Sequence, residues 1–244
     1  MLTKIRGLSQ LFKEVSNLPQ ISINLMLAGG GGNALFFRDV TLGFYKTATG
    51  RHPKFPVIRR MEYGFSVCDL RADGGVYSSR LDSAARRNLK KAARLGYRFE
   101  RIDYNAHLSD VAKIHQSTTV RQGKMMPGYL LSGEATPHNN PTSINPLHDY
   151  PYFGIFKEDV LVAYASCMIA GDLCALQSIY GHADFLSDGI VPLLIVSIGD
   201  DVPLHHPQVI YYAYDMYYGA SDSMKRFKRK FLFFPHRVKW VIGA

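Results

Sequence analysis

The chain has 244 residues, 47% hydrophobic and 20% charged, ordinary proportions for a globular domain with a real core. Its 29 Lys and Arg against 20 Asp and Glu leave a net charge of +9, which suits an anionic partner such as a nucleotide, RNA or an acidic membrane face. No run approaches the ~18 apolar residues of a membrane span, and the amphipathic first 20 residues lack the apolar block of a signal peptide.

Cys68, Cys167 and Cys174 are odd in number and lack close metal-ligand spacing, which points to a reducing, cytoplasmic setting. His115, His138, His148, His205 and His206 are equally scattered, so no metal is expected.

Residues 2–15 carry apolar side chains near helical spacing and predict a short helix. Residues 21–27 and 35–45 are expected as strands joined by the glycine run at 29–32 and Asn33. That run lacks the Lys-Ser/Thr of a phosphate loop and suits a hairpin better. A basic, proline-punctuated loop at 50–56 precedes a strand at 61–70.

The clearest helix is 79–95, with Ser79 and Asp82 as the capping signal and Gly96 at its stop. Leu81, Ala85, Leu89, Ala92 and Ala93 form its apolar side. Arg86, Lys90 and Arg94 form a cationic stripe, either a solvated face or a ligand contact. A strand at 97–104 and a helix at 108–119 follow.

Residues 121–149 are polar, without a period, and long enough to be a substrate lid or a disordered segment. Residues 152–156, 160–170 and 173–180 then predict an antiparallel meander with turns at 157–159 and 171–172. A helix over 190–198 follows, with Pro192 in its tolerant first turn. A loop at 200–207 leads into the next strand.

That strand opens the stretch 211–234. It breaks at 218–221, Ser221 caps a helix, and five cations lie within residues 225–230. Phe227 and Phe231 share one face and would anchor the helix with the cations outward. The arrangement reads either as an anion-holding sheet edge or as an ordinary basic surface helix. Residues 236–242 alternate as a closing strand.

The segments at 86–97, RRNLKKAARLGY, and 214–231, YDMYYGASDSMKRFKRKF, resemble stretches of the Fem-like branch of the GNAT superfamily of N-acyltransferases, as does the element order. The resemblance implies an α/β (α+β) fold with a mixed central sheet, a three-strand meander and helices on both faces. It assigns 76–244 to the acyltransferase core and 1–75 to an N-terminal extension packing on it.

It further implies transfer of an acyl or aminoacyl group from acyl-CoA or aminoacyl-tRNA to an amine. The acceptor would be a small molecule or a cell-envelope precursor. By that likeness Gln177, Gly181, Ala183 and Gly189 would hold the donor, with Arg86 and Lys90 beside them. Here Gly181-x-Ala183 falls one residue later than the CoA pattern requires.

No nucleophile–histidine–acid pattern is apparent, so direct attack by the amine is expected. His182 and Asp184 are the candidate base, Tyr217 or Tyr218 the leaving-group acid, and Lys228 the group that neutralises a phosphate or carbonyl. Asp215, an acid at an apolar strand end, is expected to be hydrogen-bonded or functional. The competing reading is a non-catalytic RNA-binding or membrane-associated protein built on the two basic clusters.

Overall fold

The computed structural model describes residues 14–29, 34–74, 76–121 and 123–243. In chain order the main elements are β1 (Gln20–Asn24), α1 (Ala34–Ala48), β2 (Tyr63–Asp69), α2 (Ser83–Arg94), β3 (Tyr97–Ile102) and α3 (Leu108–Gln116). There follow β4 (Tyr152–Lys157), β5 (Val160–Ala170), β6 (Leu173–Gly181), α4 (Ile190–His205), β7 (Tyr211–Met216), α5 (Asp222–Lys230) and β8 (Phe234–Val241).

Apolar text in β5 and β6 is continuous rather than alternating because both faces of the sheet are covered. The strand order is β1-β8-β2-β7-β6-β5-β4-β3, with His148–Asp149 pairing onto β5. Only β1–β8 and β6–β7 are parallel. β4, β5 and β6 form the expected meander.

One face packs α2, α4 and α5 through Ala85, Ala92, Leu194, Ile198 and Phe231. The other carries α1 through Val40, Phe44 and Ala48, and α3 through Val111 and Ile114. This is the mixed sheet with helices on both faces. β2 lies between β7 and β8, so the described part of 1–75 joins the core through the sheet itself.

Several expectations need correcting. Residues 35–45 are not a strand but most of α1, whose buried or packed positions Phe37, Val40, Thr41, Phe44 and Ala48 recur at helical spacing. No hairpin forms at the glycine run, since β1 pairs in parallel with β8, Leu27–Gly29 is a 3-10 turn and α1 follows. Residues 30–33 and most of the helix at 2–15 fall outside the described residues.

The helix at 79–95 begins later. Tyr77–Arg80 is a 3-10 turn, and the Asp82 carboxylate, not Ser79, caps α2 by accepting from Ala85 N. The loop at 200–207 is largely helical, since α4 runs to His205 with Pro203 inside it.

Gly64 shows how closely the sheet end is packed. Its φ is 84°, and a Cβ there would overlap the Tyr218 ring. Gly64→Ala is expected to lower stability by about 2–4 kcal/mol through left-handed strain plus overpacking. A urea titration reporting an unchanged midpoint would refute this.

Candidate active site

β6 and β7 pair in parallel only over Leu173–Ala175 and Tyr211–Ala213, and then separate. Irregularities lie at the point of separation. On β6, Ser166 pairs Ser178 while Cys167 pairs Leu176, so Gln177 is an extra residue. On β7, Ala213 pairs Val67 while Met216 pairs Phe65, which sets Tyr214 and Asp215 against the single residue Ser66. The second bulge places Asp215 at a φ of 48°, a left-handed conformation that Asp tolerates better than most residues.

Between the separating strands, roofed by α1, is a cleft of about 410 Å³. Its walls include Phe44, Phe65, Leu176, Ile179 and Tyr214. Its polar groups are Thr47, Arg60, Gln177, Ser178 and Asp215. A cleft of this size, lined by polar and apolar surface in about equal measure, can take a small molecule.

Lys228 lies behind the bulge. It was expected to face outward with its neighbours, but its residue is 2% exposed. Its ammonium donates to the Met216 carbonyl at 2.6 Å and to Ser66 Oγ at 3.1 Å, and sits 5.2 Å from the centre of the Tyr214 ring. Burial pulls its pKa down to about 8, with the Asp215 charge opposing the shift. Asp215 itself is exposed on the cleft rather than buried, which corrects the reason given for its importance.

Arg60 reaches the cleft through local hydrogen bonding that the sequence pattern did not reveal. Its N–H donates to Gly50 O at 2.7 Å and that of Met61 to Ala48 O at 2.7 Å, so the basic loop folds back onto the end of α1. Buried His52 ties that loop down. Its Nδ1 accepts from Lys54 N and Phe55 N, leaving Nε2–H to donate to Tyr218 O at 3.1 Å. Burial, chiefly, lowers the His52 pKa and keeps this neutral tautomer.

The structure brings Gln177, Asp215 and Lys228 to the cleft or directly behind it. Tyr217 lies beside it, under Lys225 and Arg229 at 5.7 and 5.8 Å from its ring centre. Tyr218 is buried, and burial raises its pKa to about 12.

His182 and Asp184 are not among the residues lining the cleft. They begin a 3-10 turn, Ala183–Asp188, where His182 Nδ1 accepts from Asp184 N. Arg86 and Lys90 are exposed on α2, on the face opposite α1.

Four backbone donors of the β6–α4 turn already have partners within the chain: His182 N to Val162 O, Ala183 N to Ser117 Oγ, Phe185 N to His182 O and Gly189 N to Leu186 O. A side chain at Gly181 would meet Val191, Leu186 and Ile190 at 2.9–3.1 Å, so this glycine serves packing.

Just before α4, Asp188 accepts from Tyr97 Oη at 2.7 Å and pairs with Lys91 at 3.4 Å. The Tyr97 bond first, and then Lys91, hold its carboxyl below the usual range. An acid already stands at the helix end that would attract phosphate.

No residue of the lid segment 121–149 lines the cleft either. Arg121 anchors its start by donating to Gly181 O at 2.8 Å and Ile114 O at 2.7 Å, and stacks on Tyr180. His148 Nε2 binds Leu25 O at its end. Among the described residues no cluster of His, Cys, Asp or Glu is gathered to hold a metal, and no helix is long and apolar enough to cross a membrane.

Comparison with solved structures agrees with this topology. FemX superposes with a TM-score of 0.51 at 8% identity, over 71% of this chain and 59% of that one. The chain has a GNAT-type fold.

The C-terminal domain of a candidate lysylphosphatidylglycerol synthetase from Agrobacterium fabrum matches at 0.46 and 19% identity, over 70% of this chain and 57% of that one. L-PGS from Bacillus licheniformis matches at 0.44 and 13%, over 70% and 57%. The chain thus spans less than three-fifths of each of these structures. No family model and no curated protein matches it.

The buried ammonium makes a pH prediction. The folded pKa of Lys228, about 8, lies below its ordinary 10.5, so the unfolded chain holds the extra proton between those values. Stability from this group is therefore greatest above pH 10.5 and is lost as pH falls to about 8. A ¹³Cε-lysine NMR titration should show one resonance, absent in Lys228→Met, with a midpoint near 8. A midpoint above 10 refutes the burial argument.

Proposed function

We propose that the chain is an N-acyltransferase that moves an acyl or aminoacyl group from an activated ester or thioester to an amine in the β6–β7 cleft. The observation that carries the reading is the bulged Asp215, facing Gln177 across the separating strands with Lys228 fixed behind it.

Direct attack needs an acceptor amine stripped of its proton and a carbonyl positioned beside it. Asp215 takes the ammonium proton. The freed nitrogen bonds to the carbonyl carbon, the ester or thioester bond breaks, and the leaving oxygen or sulfur takes up the second proton that the nitrogen sheds as the amide forms. In this reading the Gln177 amide, which lines the cleft, donates to the carbonyl oxygen as charge develops there. Lys228 acts as a positioning residue by holding the Met216 carbonyl and therefore the bulge.

The partnered donors of the β6–α4 turn, together with the acid standing before α4, make aminoacyl-tRNA the preferred donor in this reading over acyl-CoA. The exposed cations of α2 and α5 would attract the polyanionic RNA. The same cations leave the RNA-binding reading as the rival, and a cleft lined by an acid and an amide is what that reading does not need.

The test is incubation of the purified protein with total aminoacyl-tRNA, acetyl-CoA and longer acyl-CoAs, each with pools of amines, and mass spectrometry of the products. Transfer is expected from aminoacyl-tRNA, and Asp215→Asn should lower it by about 100-fold or more with affinity for the donor retained. No transfer from any donor, alongside intact RNA binding, would hand the case to the rival.

A further inference from the structure

Arg60 and Asp215 line the same cleft, and among the described residues no salt bridge joins them. The Arg60 Nε is buried and has no hydrogen-bond partner among the described residues. The Asp215 carboxylate is exposed to the cleft, and its charge acts on the Lys228 ammonium behind it. A cation and an anion that face one small volume without pairing to each other leave room for a ligand between them. A ligand with one charge of each sign would satisfy both.

The size agrees. About 410 Å³ suits a molecule on the scale of an amino acid, and Phe44, Phe65 and Tyr214 offer a wall for an apolar side chain. The buried position of Nε also separates Arg60 from the exposed lysines and arginines of α5, which suit a polyanion at the surface.

We propose that the acceptor held in this cleft is a small zwitterion, a primary amine that also carries a carboxylate or phosphate, with its ammonium on Asp215 and its anion on Arg60. The inference rests on the transferase reading for the word acceptor, but the binding claim stands apart from it. Arg60 suits either anion because its guanidinium forks onto two oxygens at once.

The experiment is calorimetric titration of the full chain with the twenty amino acids and phosphoethanolamine, each set against the matching molecule without its anion and without its amine. For L-phenylalanine these are phenethylamine and 3-phenylpropionate. At least one zwitterion should bind at least about tenfold tighter than both its partners.

Arg60→Gln should erase the advantage over the plain amine, and Asp215→Asn the advantage over the plain acid. Should either variant fail to fold, Arg60→Lys and Asp215→Glu read the same discrimination with the charges kept but displaced. Phosphoethanolamine binding while amino acids do not identifies a phosphate as the anion and supports the proposal.

No binding by any zwitterion, or an amine binding as tightly as its zwitterion, overturns it. Zwitterion binding without transfer from any donor removes the transferase reading and leaves this inference standing. Transfer to plain amines without zwitterion preference does the reverse.

Discussion

The Lys228 ammonium, clamped between Met216 O and Ser66 Oγ, is the interaction on which the candidate site depends. A bulge leaves backbone polar groups without strand partners, and leaving them so in a buried place would cost about 1–3 kcal/mol each. Lysine on α5 answers that need from the opposite layer, at the expense of burying its own charge. The bargain ties the helix, the middle of β2 and the end of β7 into one unit. It also sets the backbone that presents Asp215 on the other side. Without the bulge, β7 would continue alternating beside β2, and the acid would not be turned into the cleft.

Much of the sheet was legible because strands covered on both faces are written as apolar runs, and the meander is bounded by turns such as 157–159. The last three elements were legible too, since Ser221 does cap α5 through Met224 N, and Phe227 and Phe231 do pack inward. α1 was not. Its apolar side chains are dense enough that Leu35, Phe36 and Phe37 look like a strand, and only the spacing of buried Phe37, Thr41 and Ala48 betrays the helix. Losing α1 meant losing the roof of the cleft. Arg60 was hidden for a related reason, because its place is set by loop hydrogen bonds to Gly50 and Ala48 rather than by any period. The depth of Lys228 was equally hidden. Five cations in six residues look alike until one of them finds a carbonyl to bind.

His182 and Asp184 lie away from the cleft. Sequence order places His182 and Asp184 where the meander meets the next helix, and in the fold that corner is closed. Ser117 occupies Ala183 N, the side chains around Gly181 fill the space beside it, and Asp188 stands before α4 with Tyr97 and Lys91.

A carboxylate there complements the positive end of the helix that a phosphate would otherwise meet. With an acid at that end, the charged residues that line the cleft are Arg60 and Asp215. Neither comes from the β6–α4 turn: one is delivered by a loop tied down through His52, the other by a bulge held through Lys228. Two buried basic groups, neither lining the cleft, thus fix the positions of the two charges that do. Any ligand selectivity in the groove must therefore be read from that side, where a loop can change its reach without disturbing the sheet.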